Sequence, residues 1–165
     1  MKKIFLAIAI CLSVLFSGCE KDDICPETTQ TTSLLVIGFY DINNPSVPKN
    51  VTTLEIKAAN LADSLATIDG QNIAEIPLSV TENSVTYIFE LNSANANANQ
   101  DLLKFNYTRD DVFVSRACGY KTVFTLDPEN PIELINTDAS VWIQEIEIVE
   151  PNIETENETH VKIYF

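Results

Sequence analysis

Histidine is almost absent from this chain of 165 residues, which contains a single one, His160, along with one Met, one Trp and four Gly. Catalysis by a nucleophile and a base needs a proton acceptor that titrates near neutrality, and histidine is the usual one. The sequence also contains no Gly-x-Ser-x-Gly, no His-Glu-x-x-His and no glycine-rich phosphate loop. We therefore predict no catalytic residue, no metal site and no cofactor.

Basic residues are also scarce, since 24 acids stand against 10 lysines and arginines and give a formal net charge of −14. Such a charge repels phosphates, so nucleic acid and polybasic docking on anionic lipid are disfavoured. We interpret the acidity as a solubility feature, and an electropositive partner is the alternative.

No apolar run reaches the roughly 20 residues that a membrane-spanning helix needs. Residues 4–16 form a shorter apolar run after two lysines, with no basic stop-transfer cluster behind it. The end of this run leads into the sequence Leu15-Phe16-Ser17-Gly18-Cys19. This arrangement resembles the bacterial lipobox. The resemblance implies that residues 1–18 are a signal peptide and that Cys19 receives a diacylglycerol and usually an acyl chain such as palmitate, which together anchor the protein in a membrane.

The four cysteines divide into groups with different expected fates. Cys11 leaves with the leader and Cys19 carries the lipid, so Cys25 and Cys118 remain. An oxidising compartment outside the cytoplasm favours a disulfide between them, and two buried reduced thiols are the alternative. Zinc is disfavoured, because two Cys and one His far apart lack the usual ligand spacing.

The residues that follow Cys19 predict a solvated tether and a signal for export to the cell surface. Residues 19–32 are acidic and then Thr-rich, which is typical of a solvated tether. Lys21, Asp22 and Asp23 resemble the surface-export signal of Bacteroidota lipoproteins. We therefore expect an outer-membrane lipoprotein, with surface display favoured over a periplasm-facing position.

The remainder, residues 33–165, shows the two-residue alternation of β-strands in many short segments and no long helical period. We predict one all-β domain, an antiparallel β-sandwich of about eight strands with immunoglobulin-like or transthyretin-like topology. A small closed β-barrel is the alternative. The predicted strands are residues 34–40, 51–58, 85–91, 103–107, 112–114, 120–126, 142–149 and 160–165.

Alternation also predicts which side chains face the core. In the last strand Val161, Ile163 and Phe165 should face inward, which would leave His160 and Tyr164 exposed. We expect most of the larger aromatic residues to fill the core rather than to stack on sugar rings. These residues are Tyr40, Tyr87, Tyr107, Tyr120, Trp142 and Tyr164.

Paired acids offer the main enzymatic alternative, a glycan hydrolase with two carboxylates across a cleft. Neighbouring strand residues point to opposite faces, so we interpret Asp110-Asp111 as a turn and Glu145 with Glu147 as a solvated stripe. The clusters at Asp41 and Asp127 could hold calcium, but Asx turns explain them better.

Four segments resemble an uncharacterised lipoprotein family of flavobacteria and other Bacteroidota. They are Phe113-Val114-Ser115-Arg116-Ala117-Cys118-Gly119-Tyr120-Lys121, Cys25-Pro26 with Phe39-Tyr40-Asp41, and His160-Val161-Lys162-Ile163-Tyr164-Phe165. The family has no assigned activity, so the resemblance implies a lipoprotein and a cysteine pair but no mechanism.

Arg116 is the most unusual residue of the first segment. We expect it in a strand with apolar neighbours, where its guanidinium would need an acid such as Asp110 or Asp111. A structural ion pair is the first interpretation, and a binding site for a carboxylate ligand is the second.

These observations predict a membrane-anchored lipoprotein of the cell envelope that acts as a non-catalytic binding or assembly module. Its expected partners are the membrane, through Cys19, and an outer-membrane protein or a glycan. A glycan hydrolase and a solute-binding lipoprotein are the alternatives, and each would need a concave site.

Overall fold

The structure, a computed structural model, describes residues 24–61, 63–135 and 140–165. The predicted signal peptide, the lipidation site Cys19 and the export residues Lys21, Asp22 and Asp23 lie outside the described residues. The described part divides into two units. The smaller unit consists of residues 24–29 and 113–120, and the larger consists of residues 30–112 and 121–165.

Twelve strands and no helix are present in the described residues. None of those residues belongs to a helix long and apolar enough to cross a membrane. The strands are β1 Leu35–Asp41, β2 Asn44–Pro48, β3 Leu54–Ala58, β4 Ser64–Ile68, β5 Ile73–Ile76, β6 Ser84–Leu91, β7 Asn99–Ser115, β8 Gly119–Leu126, β9 Ile132–Ile135, β10 Glu145–Ile148, β11 Asn152–Ile153 and β12 Val161–Tyr164.

The first sheet has five strands in the order β10-β12-β1-β2, with β5 also paired to β1. Strand β12 lies between β10 and β1, antiparallel to β10 and parallel to β1. Its parallel register places Val161 opposite Ile37 and Ile163 opposite Phe39. This pair is the exception in a sheet that is otherwise antiparallel.

The second sheet has seven strands in the order β11-β8-β7-β6-β3-β4, with β9 also paired to β7. Its longest ladder joins β6 to β7, from Ser84 opposite Asn106 to Leu91 opposite Asn99. The Asn- and Ala-rich residues 92–98 connect these strands as a hairpin loop. The left-handed φ of 57° at Asn92 lies in the region that asparagine tolerates well.

The inner faces of the two sheets share one hydrophobic core, so the larger unit is a β-sandwich. Phe39 of the first sheet and Phe89 and Phe105 of the second are completely buried. The predicted all-β sandwich is therefore confirmed, and the alternative of a closed barrel is wrong because the strands form two separate sheets.

A buried carboxylate ties the second sheet to the segment before β10. Asp101 of β7 is only 1% exposed, and its Oδ2 atom accepts hydrogen bonds from the backbone N–H groups of Trp142 at 2.9 Å and Ile143 at 2.8 Å. The indole of Trp142 in turn donates to the carbonyl of Phe89 at 3.1 Å. Trp142 is therefore a core residue, as predicted.

Three predictions of exposure or turn structure are wrong. His160 is completely buried, because it precedes β12 and packs against the backbone of Val36. Tyr164 is buried too, with its ring 5.8 Å from that of Tyr40. Asp110 and Asp111 lie inside β7 rather than in a turn, since the hydroxyl of Thr122 donates to Asp111 across the ladder at 2.8 Å.

Candidate functional site at the disulfide-linked hairpin

The connection between β7 and β8 forms what we call the hairpin tip, residues 113–120. Three residues, 116–118, make the turn, and the backbone N–H of Cys118 donates to the hydroxyl of Ser115 at 3.0 Å. Gly119 follows with a φ of 72°, a left-handed conformation that glycine adopts without strain. The segment Ser-Arg-Ala-Cys-Gly is therefore suited to a tight strand reversal.

A disulfide joins Cys118 of the turn to Cys25 near the start of the described chain. The two Cα atoms are 4.8 Å apart, and 93 positions separate the residues in sequence. Thr29 Oγ1 lies 3.6 Å from Cys118 Sγ, and the backbone N–H of Thr29 donates to the carbonyl of Pro26. The segment 24–29 is thus fastened covalently to the hairpin tip.

Two aromatic rings face each other across the base of the hairpin tip. The ring centroids of Phe113 and Tyr120 are 5.4 Å apart in an edge-to-face arrangement, which is a favourable geometry for aromatic pairs. Phe113 is nevertheless 57% exposed and Tyr120 69% exposed, and Ile24, next to Cys25, is 77% exposed. The aromatic prediction fails at Tyr120, which is not a core residue.

Arg116 lies in the turn, not in a strand as expected, and its side chain is exposed. None of the ion pairs among the described residues includes it. Solvent can hydrate the guanidinium at this position, so the argument that burial would require an acidic partner does not apply. The hairpin tip therefore carries one exposed cation and two exposed aromatic rings.

Other candidate sites of the sequence prove to be local structure. The carboxylate of Asp127 accepts the backbone N–H groups of Glu129 and Asn130, and Asp41 accepts that of Asn43, as the Asx-turn interpretation predicts. These bonds lower the pKa of both carboxyl groups. Within the described ranges, no group of three or more His, Cys, Asp or Glu is placed to hold a metal ion.

An open pocket of about 360 Å³ lies beside β6 in the larger unit. Among the described residues that line it, Glu82 is the one carboxylate, and a glycan hydrolase requires a pair. Its lining residues are Ala59, Asn60, Ser79, Glu82, Ser84, Val85 and Thr86.

Comparison with known families matches residues 53–165, more than half of the chain, to a family of unknown function, DUF6452. The chain belongs to the DUF6452 family. Comparisons with the curated proteins and with the solved structures found no match.

The matched DUF6452 region covers only part of the candidate site. It contains the hairpin tip with Cys118, together with His160 and β12, whereas Cys25 and β1 precede it. The family match therefore supports the two later segments of the predicted resemblance, and it ascribes no activity to them.

The sequence identified the cysteine pair of this site but missed its exposed aromatic surface. Alternation assigns Tyr120 to the apolar face of β8, and nothing in that pattern distinguishes a ring at the end of a strand from one in its middle. The usable signal was the neighbouring turn, Arg116-Ala117-Cys118-Gly119, because a side chain next to a turn has fewer neighbours to cover it.

Proposed function

We propose that this protein is a lipid-anchored member of the bacterial cell envelope whose folded body is held close to the membrane and acts as a non-catalytic binding or assembly module. The observation that supports the proposal most strongly is the disulfide between Cys25 and Cys118. It fastens the chain only six positions after Cys19, the residue that the lipobox resemblance marks for lipidation.

The length of the free tether follows from this disulfide. Six residues of fully extended chain span at most about 20 Å, since each residue contributes roughly 3.3–3.6 Å. The predicted tether of residues 19–32 is thus shortened at Cys25, and the hairpin tip stays within reach of the membrane that holds the lipid. A partner in or on that membrane fits this geometry better than one at a distance.

We place the protein on the outer membrane, with the cell surface favoured over the periplasmic side. The residues Lys21, Asp22 and Asp23 support this placement through their resemblance to the export signal of Bacteroidota lipoproteins. Loss of Lys2 and Lys3 with the leader leaves eight basic residues against 24 acids, a charge of −16 that suits a crowded envelope surface.

The open edges of the sheets favour a protein partner. Strand β2 at one end of the five-stranded sheet is exposed along its whole length, and β4 ends the seven-stranded sheet of the described residues. An unpaired strand edge can accept a strand from another protein, and β4 has all its backbone N–H groups for this, whereas Pro45 and Pro48 leave β2 with fewer donors. Val47 of β2 and Leu65 of β4 add exposed apolar side chains to these edges.

Photo-cross-linking in intact cells tests the binding role. A photoreactive residue in place of Val47 or Leu65 in the full chain should yield a discrete adduct with an envelope protein. The same residue in place of Val80, which is exposed but lies in the loop between β5 and β6, is the matched control. Adducts that are absent at both edges, or equal at Val80, would contradict an edge-binding module.

Protease digestion tests the placement on the cell. Protease added to intact cells should degrade the protein if it is displayed on the surface, as detected by an antibody against the folded body. Protection until the outer membrane is permeabilised would overturn surface display and leave the periplasm-facing position. If Lys21, Asp22 and Asp23 are the export signal, replacing them with Ala should protect the protein in intact cells until the outer membrane is permeabilised.

A further inference from the structure

The hairpin tip carries an apolar surface that stays exposed to solvent in the folded protein. Phe113 and Tyr120 pack on each other and leave more than half of each side chain in solvent, at 57% and 69%. Ile24 adds a third exposed apolar side chain at 77%, in the residue directly before the disulfide. Large exposed apolar side chains that cluster in one small unit are typical of an interaction surface.

The length of the chain before this unit indicates what covers the surface. Cys25 is bonded to Cys118, and Tyr120 is only two residues further along the chain. The lipid on Cys19 is at most about 20 Å of chain away from Cys25. Because the lipid lies in the bilayer, the aromatic pair is held within a few nanometres of the bilayer surface.

The charge of the hairpin tip and its flanking residues also fits a lipid bilayer as the occupant of this surface. Residues 112–126 form the longest stretch without Asp or Glu after Cys19, in a chain that has 24 acids. Arg116 is the one charged residue between Phe113 and Tyr120, and it is exposed. A guanidinium forms bidentate hydrogen bonds with phosphate, which is present at the surface of a phospholipid bilayer.

We propose that the hairpin tip enters the interface of the bilayer that holds the lipid on Cys19, with Phe113, Tyr120 and Ile24 at the boundary of headgroups and acyl chains and Arg116 on lipid phosphate. This inference rests on the lipid anchor of the proposed function. Tyr120 suits the position because its ring is apolar and its hydroxyl stays in the hydrated headgroup layer.

The proposal adds an orientation to the anchor. A lipid alone leaves the body free to rotate on its tether, whereas a second contact at the hairpin tip fixes one end of the hairpin against the membrane.

The test uses the full lipidated chain, purified from the bacterium and reconstituted into phosphatidylcholine vesicles whose acyl chains carry bromine close to the headgroup. Two variants, Tyr120→Trp and Phe113→Trp, each place a fluorescent indole at the hairpin tip. Val80→Trp is the matched control, because Val80 is 52% exposed and lies outside the smaller unit. The natural Trp142 is buried and supplies the background emission.

We expect both hairpin variants to float with the vesicles and to lose emission in brominated lipid relative to plain lipid, with the Val80→Trp chain unchanged. If the chains float but neither hairpin indole is quenched, the interface contact is wrong while the lipid anchor stands, and a protein partner becomes the occupant of this surface. If the parent chain does not float, both the anchor and this inference fail.

Discussion

The Nδ1 atom of His160 accepts a hydrogen bond from the backbone N–H of Val36 at 3.0 Å, and the backbone N–H of His160 donates to the carbonyl of the same residue at 3.0 Å. This reciprocal pair joins the residue before β12 to β1, at the parallel pairing of the first sheet. An imidazole that accepts at Nδ1 must be unprotonated there. The only histidine of the chain is therefore a structural residue.

The free energy of unfolding should fall as the pH drops below about 6.5. Burial lowers the pKa of His160, and the nearby carboxylates of Glu158, Glu150 and Glu156 only partly oppose this effect. Since the unfolded histidine binds a proton at about pH 6.5, its contribution is complete above that pH and is lost below it, until the folded pKa is reached. The slope cannot exceed about 1.4 kcal/mol per pH unit, which is the limit for one proton.

Urea unfolding of the parent chain at several pH values between 7.5 and 5.5 measures this slope. The variant His160→Asn should be less stable but should lack the slope, because the ordinary pKa values of Asp and Glu lie lower, near about 4. A slope that persists in His160→Asn would assign the pH dependence to another group.

Removing the carboxylate of Asp101 should destabilise the sandwich strongly. In Asp101→Ala, the backbone N–H groups of Trp142 and Ile143 lose their shared acceptor inside the core. Each unsatisfied buried donor costs about 1–3 kcal/mol, so we expect a loss of about 2–5 kcal/mol in the free energy of unfolding. Asp101→Asn keeps one acceptor oxygen and should lose less.

The matched control for Asp101 is Asp110→Ala, on an exposed position of the same strand, for which we expect a change within about 0.5 kcal/mol. Urea denaturation measures all three variants. An equal loss for Asp110→Ala and Asp101→Ala would show that the buried hydrogen bonds are not the cause.

Loss of the disulfide should lower stability mainly through the unfolded chain. A closed loop of 93 positions corresponds to about 4–5 kcal/mol in the chain-entropy model. We expect the double variant Cys25→Ser/Cys118→Ser to melt at a lower temperature than the parent, and reductant to lower the melting temperature of the parent alone. Unchanged melting of the parent in reductant would contradict the disulfide.

The phenol of Tyr164 should titrate abnormally because of one carboxylate. Its hydroxyl donates to Glu147 Oε2 at 2.5 Å, and this bond is the main cause that raises the pKa of Tyr164 to about 12. We expect Glu147→Gln to bring the pKa of Tyr164 down towards its ordinary value of about 10, because a neutral partner does not disfavour the phenolate.

Nuclear magnetic resonance of tyrosine ring carbons can follow each titration separately. Tyr87, whose pKa burial raises to about 12, should be unaffected and serves as the internal reference. Glu145→Gln removes only a weaker charge effect and should shift the pKa of Tyr164 less. A Tyr164 that titrates unchanged in Glu147→Gln would contradict the hydrogen bond.

Side-chain alternation found strands of both sheets but missed β2 and β5 in the first and β4, β9 and β11 in the second. Strand β6 follows the simple rule, because Tyr87 and Phe89 are buried where the pattern places them. Strand β2 was missed because it contains Pro45 and Pro48 and buries no side chain, which is tolerated at a sheet edge. Alternation of apolar and polar residues indicates a strand only when one of its faces is buried, and an exposed edge strand has no buried face.

Long-range contacts explain the errors around β12. The strand lies between two others, and Tyr164 is covered by Tyr40 from β1 and bonded to Glu147 from β10. No local pattern contains these neighbours. His160 is buried for a similar reason, since its partner Val36 is more than a hundred residues earlier in the chain.

The disulfide of the candidate site was predictable because few cysteines could form it. The exposure of the two aromatic rings was not predictable, because it depends on packing. Because Cys11 was predicted to lie in the leader and Cys19 to carry the lipid, Cys25 and Cys118 were the remaining thiols, and the structure bonds them. The exposure of Phe113 and Tyr120 depends on how far the β7–β8 hairpin extends, and the sequence instead predicted two separate strands in place of the single 17-residue β7.

The central claim is that Cys19 carries the lipid that holds this body at the membrane, and the mass of the N-terminal peptide of the mature protein tests it most directly. We predict a peptide that begins at Cys19 and carries a diacylglycerol, with or without an acyl chain on its amine, in both the parent and the control Cys11→Ala. An N-terminus at Met1, or a Cys19 peptide without lipid, would contradict the account.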